Sequence, residues 1–171
     1  MSRAILFWIA ALCSYLHADL DRHHFIDGCC ANVFSILPQR LFPGEIVRFE
    51  KIGASSLDVN LSFASRSGSI LFNKAGTYKI IWHGKARSPF HIPWTLGFSL
   101  DGLILFGNVY GPLNHAPTQP FEGSVVLSIN AGQILQFVNA SSHPVELVST
   151  PSNSGEPLPS FTLYLCRFEL D

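Results

Sequence analysis

Residues 94–110 read Trp-Thr-Leu-Gly-Phe-Ser-Leu-Asp-Gly-Leu-Ile-Leu-Phe-Gly-Asn-Val-Tyr, and few folds accommodate such a stretch. Trp94, Leu96, Phe98 and Leu100 share one face of a two-residue repeat, with Thr95, Gly97 and Ser99 on the other. That is the pattern of a half-buried strand, not of a helix. Asp101-Gly102 follows at once and suits a type I′ turn, whose two central residues need positive φ. The stretch predicts a β-hairpin. It holds no acid–base or nucleophile set, so it reads as scaffold.

The same period runs through the rest of the chain. Tyr78, Ile80 and Trp82 alternate with Thr77, Lys79 and His83 after Gly76, and Leu57, Val59, Leu61 and Phe63 alternate with Asp58, Asn60 and Ser62. Val125, Leu127 and Ile129 share a face, Ala131-Gly132 turns the chain, and Leu135 and Phe137 point back inward. This predicts a second hairpin. Further strands are expected over 32–37, 45–51, 69–72, 144–149 and 161–170, with loops over 85–93, 111–120 and 151–159. Short strands separated by turn signals, with no helix of useful length, predict an all-β sandwich or jelly roll.

A chain of 171 residues with 47% apolar and 13% charged residues is one domain with a real core, and its low charge favours burial of a face against a partner. The net charge is −1 and the 11 Lys and Arg residues are scattered, so nucleic acid is not an expected partner. Ser2-Arg3, the apolar run over 4–16 and Leu16-His17-Ala18 predict a cleaved signal peptide over 1–18, with no stable membrane span afterwards. An uncleaved anchor is the lesser alternative. Residues 19–30 read as a short polar tail and 31–171 as the domain.

Loss of residues 1–18 removes Cys13 and leaves Cys29, Cys30 and Cys166. An odd number in an exported chain points to intermolecular pairing or a free thiol. Neighbouring cysteines bond to each other only with strain, which makes Cys29 and Cys30 a candidate interchain disulfide; buried or free thiols are the alternative.

Several phrases taken together resemble a known superfamily. They are Gly76-Thr-Tyr-Lys-Ile-Ile-Trp, the hairpin through Asp101-Gly102, Gly123-Ser-Val-Val-Leu-Ser-Ile-Asn-Ala-Gly-Gln-Ile-Leu-Gln-Phe and Ser160-Phe-Thr-Leu-Tyr-Leu. The likeness is to the complement globular-head and tumour necrosis factor (TNF)-like jelly rolls, with greatest similarity to the bacterial branch typified by the C-terminal domain of the spore-surface glycoprotein BclA. The resemblance implies a jelly-roll sandwich of about ten antiparallel strands that assembles as a homotrimer. It implies too that aromatic side chains meet on the three-fold axis; Tyr78, Trp82, Phe106, Phe137 and Tyr164 are candidates for that axis or for the core of one copy. The chain has no Gly-X-Y repeat, so the collagen-like stalk of that branch is not matched.

No phosphate loop, metalloprotease helix or Gly-x-Ser-x-Gly elbow is present, and no catalytic set, cofactor or metal is expected. His83, His91, His115 and His143 lack His-x-His spacing, which leaves a cupin-like metal site or a carbohydrate-binding jelly roll as the alternative. Glu122, Glu146, Glu156, Asp58 and Asp101 could supply a glycosidase pair, but their spacing favours none. Asn60-Leu-Ser62 and Asn139-Ala-Ser141 match the glycosylation acceptor pattern. The loops flanking the hairpin are the expected contact surfaces, with Arg87, Phe90, His91, Asn114 and His115 as candidate residues for an unknown protein or glycan ligand. Phe90, His91 and Trp94 together also offer a stacking surface. The function expected is that of an exported, non-enzymatic module with a structural or recognition role.

Overall fold

The computed structural model describes residues 25–53, 58–60, 67–90, 92–105, 118–151 and 157–168. They form an antiparallel jelly roll of two facing sheets. The strands are β1 (Phe25–Ser35), β2 (Gln39–Leu41), β3 (Lys51–Ile52), β4 (Val59–Asn60), β5 (Ile70–Phe72), β6 (Gly76–Arg87) and β7 (Leu96–Leu100). They continue with β8 (Leu103–Ile104), β9 (Gln119–Ile129), β10 (Ile134–Asn139), β11 (Val145–Leu147), β12 (Thr150–Pro151), β13 (Pro157–Leu158) and β14 (Phe161–Phe168). The larger sheet runs β2-β11-β6-β14-β1-β3 with β9 also paired to β6, the smaller runs β4-β5-β10-β7-β8, and β12 and β13 form a separate pair.

Strand β6 organises the larger sheet because its alternation is unbroken for 12 residues. Tyr78, Ile80, Trp82 and Ala86 point inward and are buried, while Lys79, Ile81, His83 and Lys85 are half-buried on the outer face. Burial of one side drives the strand against β14, which contributes Phe161, Leu163 and Leu165, and against β9, which contributes Phe121. An aromatic chain joins the two layers. Trp82 meets Phe98 of β7 edge-on at 5.0 Å, Phe98 meets Phe137 of β10 at 4.9 Å, and Phe137 stacks on Phe161 at 4.5 Å. Burying each such ring contributes roughly 2–3 kcal/mol, with about 1 kcal/mol more from edge-to-face geometry.

Gly123 makes this packing possible. It lies opposite Trp82 on β9, and a Cβ there would overlap the indole. The residues after Pro43 close the side of the sandwich. Gly44 and Val47 donate to the carbonyls of Asn139 and Phe137 in the smaller sheet, and Glu50 and Gly53 donate to Phe34 and Asn32 in the larger. The chain thus changes sheets within a few residues, as strands at sandwich corners do.

The hairpin of residues 94–104 forms as its residues predict. Asp101 and Gly102 both have positive φ, 50° and 82°, and Leu100 faces Leu103 across the turn. One expectation is corrected: Gly97 and Ser99 are buried as well, so β7 is covered on both faces. A second expectation is corrected too: the chain turns at Gly132 (φ 88°), but β9 pairs with β6 in the larger sheet and β10 with β5 and β7 in the smaller, so the turn joins the two layers instead of closing a hairpin.

Other expectations change at their edges. The first strand begins at Phe25, where Phe25 pairs with Phe168, so residues 25–30 belong to the sheet and the domain does not start at 31. Strand β6 extends through Arg87, which takes Lys85, Ala86 and Arg87 out of the expected loop. Cys30 faces Cys166 in the β1–β14 register and is disulfide-bonded to it. The expectation of an interchain bond through Cys30 is therefore wrong, because cross-strand pairing brings together two residues 136 apart in sequence. The expected signal peptide over 1–18, residues 19–24, Leu57, Leu61 and Phe63 lie outside the described residues, as do residues 111–117 of the expected loop.

Candidate functional site

Two outward surfaces of the larger sheet carry most of what could be recognised. The first is the outer face of β9, β6 and β14. His83 lies opposite Glu122 on one side and Thr162 on the other; Ile81 lies between Ser124 and Tyr164; Lys79 lies between Val126 and Cys166. Ile81 and Tyr164 are half-buried and Val126 is 51% exposed. A solvent-facing sheet surface ordinarily alternates to polar residues, so an apolar centre flanked by Lys79, Lys85 and Glu122 is a face that a partner can cover.

His83 stacks on Tyr164 with ring centroids 5.9 Å apart. Its proton affinity is lowered, chiefly because burial penalises the imidazolium and only in part offset by the negative charge of Glu122 opposite. The ring is thus held neutral at neutral pH.

The second surface is the end of the sheet where β2, β11 and β6 lie side by side. Arg40, Glu146 and Arg87 are direct cross-strand neighbours. Arg87 donates from Nε to Glu146 Oε2 at 2.7 Å. The Arg40 guanidinium sits over the Phe42 ring, 5.6 Å from its centroid. Phe42 and Phe90 are exposed just beyond the ends of β2 and β6. Pairing explains this placement: Leu41 faces Val145, so Phe42 leaves the sheet on the side from which residues 88–90 leave β6.

Of the candidate contact residues, Arg87 and Phe90 are therefore on this surface, whereas His91, Asn114 and His115 lie outside the described residues. Among the axis-or-core candidates, Tyr78, Trp82 and Phe137 are at most 1% exposed inside one copy, which makes them core and excludes them from an axis. Tyr164 is on the outer face, and Phe106 lies outside the described residues. Trp94 is buried against Phe121 at 5.3 Å, so it adds nothing to a stacking surface with Phe90.

The carboxylates are engaged separately. Asp58 is buried between Lys74 Nζ at 2.8 Å and Arg167 Nε at 3.1 Å. The Asp101 carboxylate accepts from the Ile134 amide at 2.8 Å and from Gln133 Nε2 at 2.9 Å, and these bonds hold it below the usual carboxylate range. Among the described residues no three His, Cys, Asp or Glu side chains converge on one point. Asn139 is fully buried, its amide donating to the carbonyls of Leu41 and His143. A glycan cannot be attached there in the folded chain. Asn60 lies in β4, and Ser62 of the same pattern is outside the described residues.

No family model matches the chain, and no curated protein matches it by sequence. Solved structures do match. The globular domain of zebrafish complement 1qA protein covers 82% of this chain and 95% of its own at 13% identity, with a TM-score of 0.53. The Eiger TNF from S. frugiperda covers 83% and 93% at 11% identity, with a TM-score of 0.59. Likeness at such low identity establishes the fold: the chain is a jelly roll of the complement globular-head and TNF-like type.

Proposed function

We propose that this chain is an exported, non-enzymatic recognition module that works as a homotrimer, with the outer face of β6, β9 and β14 turned toward its copies. The observation that carries the reading is the apolar centre at Ile81, Val126 and Tyr164 on a sheet that otherwise faces outward. Its support is twofold: the fold is of the type whose sequence resemblance implies trimers, and buried subunit faces are enriched in apolar and aromatic residues with charges at the rim. Three copies would present three identical outer surfaces, and multivalency would raise the effective affinity of a weak single contact. Export rests on residues 1–18, and kinship with the spore-surface branch on the Gly76-Thr77-Tyr78 strand and the Ala131-Gly132-Gln133 turn.

Light scattering on wild type and on Val126→Arg tests the reading. The wild type is expected at three times the mass of one chain and the variant at a smaller mass with an unchanged circular dichroism spectrum, because an arginine in an apolar contact loses its hydration. A wild type that runs as a single chain at micromolar concentration would contradict it.

A further inference from the structure

We infer that the Arg40–Glu146–Arg87 row, together with Phe42 and Phe90, is a docking surface for an acidic protein segment that carries an aromatic or aliphatic side chain among its carboxylates. This deepens the recognition reading, on which it rests, but it needs only one copy of the chain.

Charge complementarity is the first argument. Adjacent strands set two guanidiniums on either side of one carboxylate, so the row keeps a positive charge after Glu146 has been neutralised. Glu146 is committed to Arg87 through the Nε bond. That bond leaves the terminal nitrogens of Arg87, whose side chain is 50% exposed, for an incoming acceptor. Among the described residues no ion pair or hydrogen bond engages the Arg40 guanidinium. Instead the Phe42 ring holds its guanidinium in place, a contact that orients the group without filling its donors.

The second argument is the apolar part of the surface. Phe42 is 51% and Phe90 56% exposed, and both sit beyond the strand ends that carry Arg40 and Arg87. Arginine and aromatic residues together make the composition of protein-contact hot spots, whereas a partner offering charge alone would leave both rings in water. An extended segment with carboxylates about 10 Å apart, two strand spacings, could reach both guanidiniums and lay its apolar side chain on the rings.

The probe is a fluorescein-labelled peptide of alternating Asp and Glu around two phenylalanines, titrated with the full chain and read by fluorescence anisotropy. Binding is expected at low salt and is expected to weaken by about tenfold or more in Arg40→Glu and separately in Phe42→Ser. Both residues are exposed, so the melting temperature should not move. A matched peptide with Lys in place of Asp and Glu should not bind. Equal binding by wild type and both variants would overturn the proposal, as would no binding of the acidic peptide or preferential binding of a sulfated oligosaccharide. Light scattering on the same samples separates the two claims: a trimer that ignores the peptide sinks this surface alone, and a monomer that binds it sinks the assembly alone.

Discussion

Burial keeps the His83 imidazole neutral, and among the described residues the groups beside it are Glu122 from β9, Tyr164 and Thr162 from β14, and Lys85 two residues along β6. In the unfolded chain His83 titrates in the ordinary imidazole range, and in the folded chain below it. Between those points the unfolded state binds more protons, so stability rises with pH. The contribution is complete above the ordinary imidazole range and is lost as pH falls through the folded value. Melting temperature should therefore decline as pH falls through and below the ordinary imidazole range, and His83→Gln should flatten that part of the curve. Parallel curves for the two proteins would contradict the assignment. Gly123 makes a second prediction at this scale. Gly123→Val would drive a branched side chain into the Trp82 ring and should destabilise the domain by about 2 kcal/mol or more, as overpacked cores do; an unchanged denaturant midpoint would show that the ring has room to move. Alternation placed Trp82 inward and His83 outward. Neither the neutral imidazole nor the notch at Gly123 was visible, because both depend on what stands across a strand boundary.

Among the elements, the β7–β8 hairpin and the Gly132 turn that carries the chain from the larger sheet to the smaller are joined by a carboxylate. Asp101 binds Ile134 and Gln133, and Gln133 Oε1 in turn accepts from the Asn130 amide. Asp101→Ala should lower the melting temperature, since it removes both bonds and leaves alanine at a positive φ. Asp101→Asn tolerates that φ and should cost less. With the carboxyl held below its usual range, its contribution is present at neutral pH and fades as pH falls below the ordinary carboxylate range. A wild type and Asp101→Asn that lose stability equally in acid would contradict this linkage. The β7–β8 hairpin and the Gly132 turn were legible because turn chemistry and alternation are local, whereas the parting of β9 and β10 into different sheets depends on distant partners. Strand β1 was legible only in its second half: Asp27, Gly28 and the paired cysteines break the apolar rhythm of residues 25–30, and their place in the sheet comes from β14. The Cys30–Cys166 bond likewise follows from register between distant strands, which spacing along the chain does not encode.

For the molecule as a whole, the jelly roll was readable from the number, length and punctuation of its strands, and the structural relatives agree with it. The surfaces were less readable. Arg40, Glu146 and Arg87 come from three strands far apart in sequence, and only Arg87 and Phe90 of that end were expected as contact residues. The outer face of β6, β9 and β14 was legible only at Tyr164, a candidate for the axis or the core, since Val126 and Ile81 read simply as strand residues until their neighbours were known. Assembly through that face is the claim from which the recognition role follows. Sedimentation equilibrium on the wild-type chain, followed by dilution through the micromolar range, tests it most directly. A single species at three times the mass of one chain is predicted, and a species at the mass of one chain throughout would contradict it.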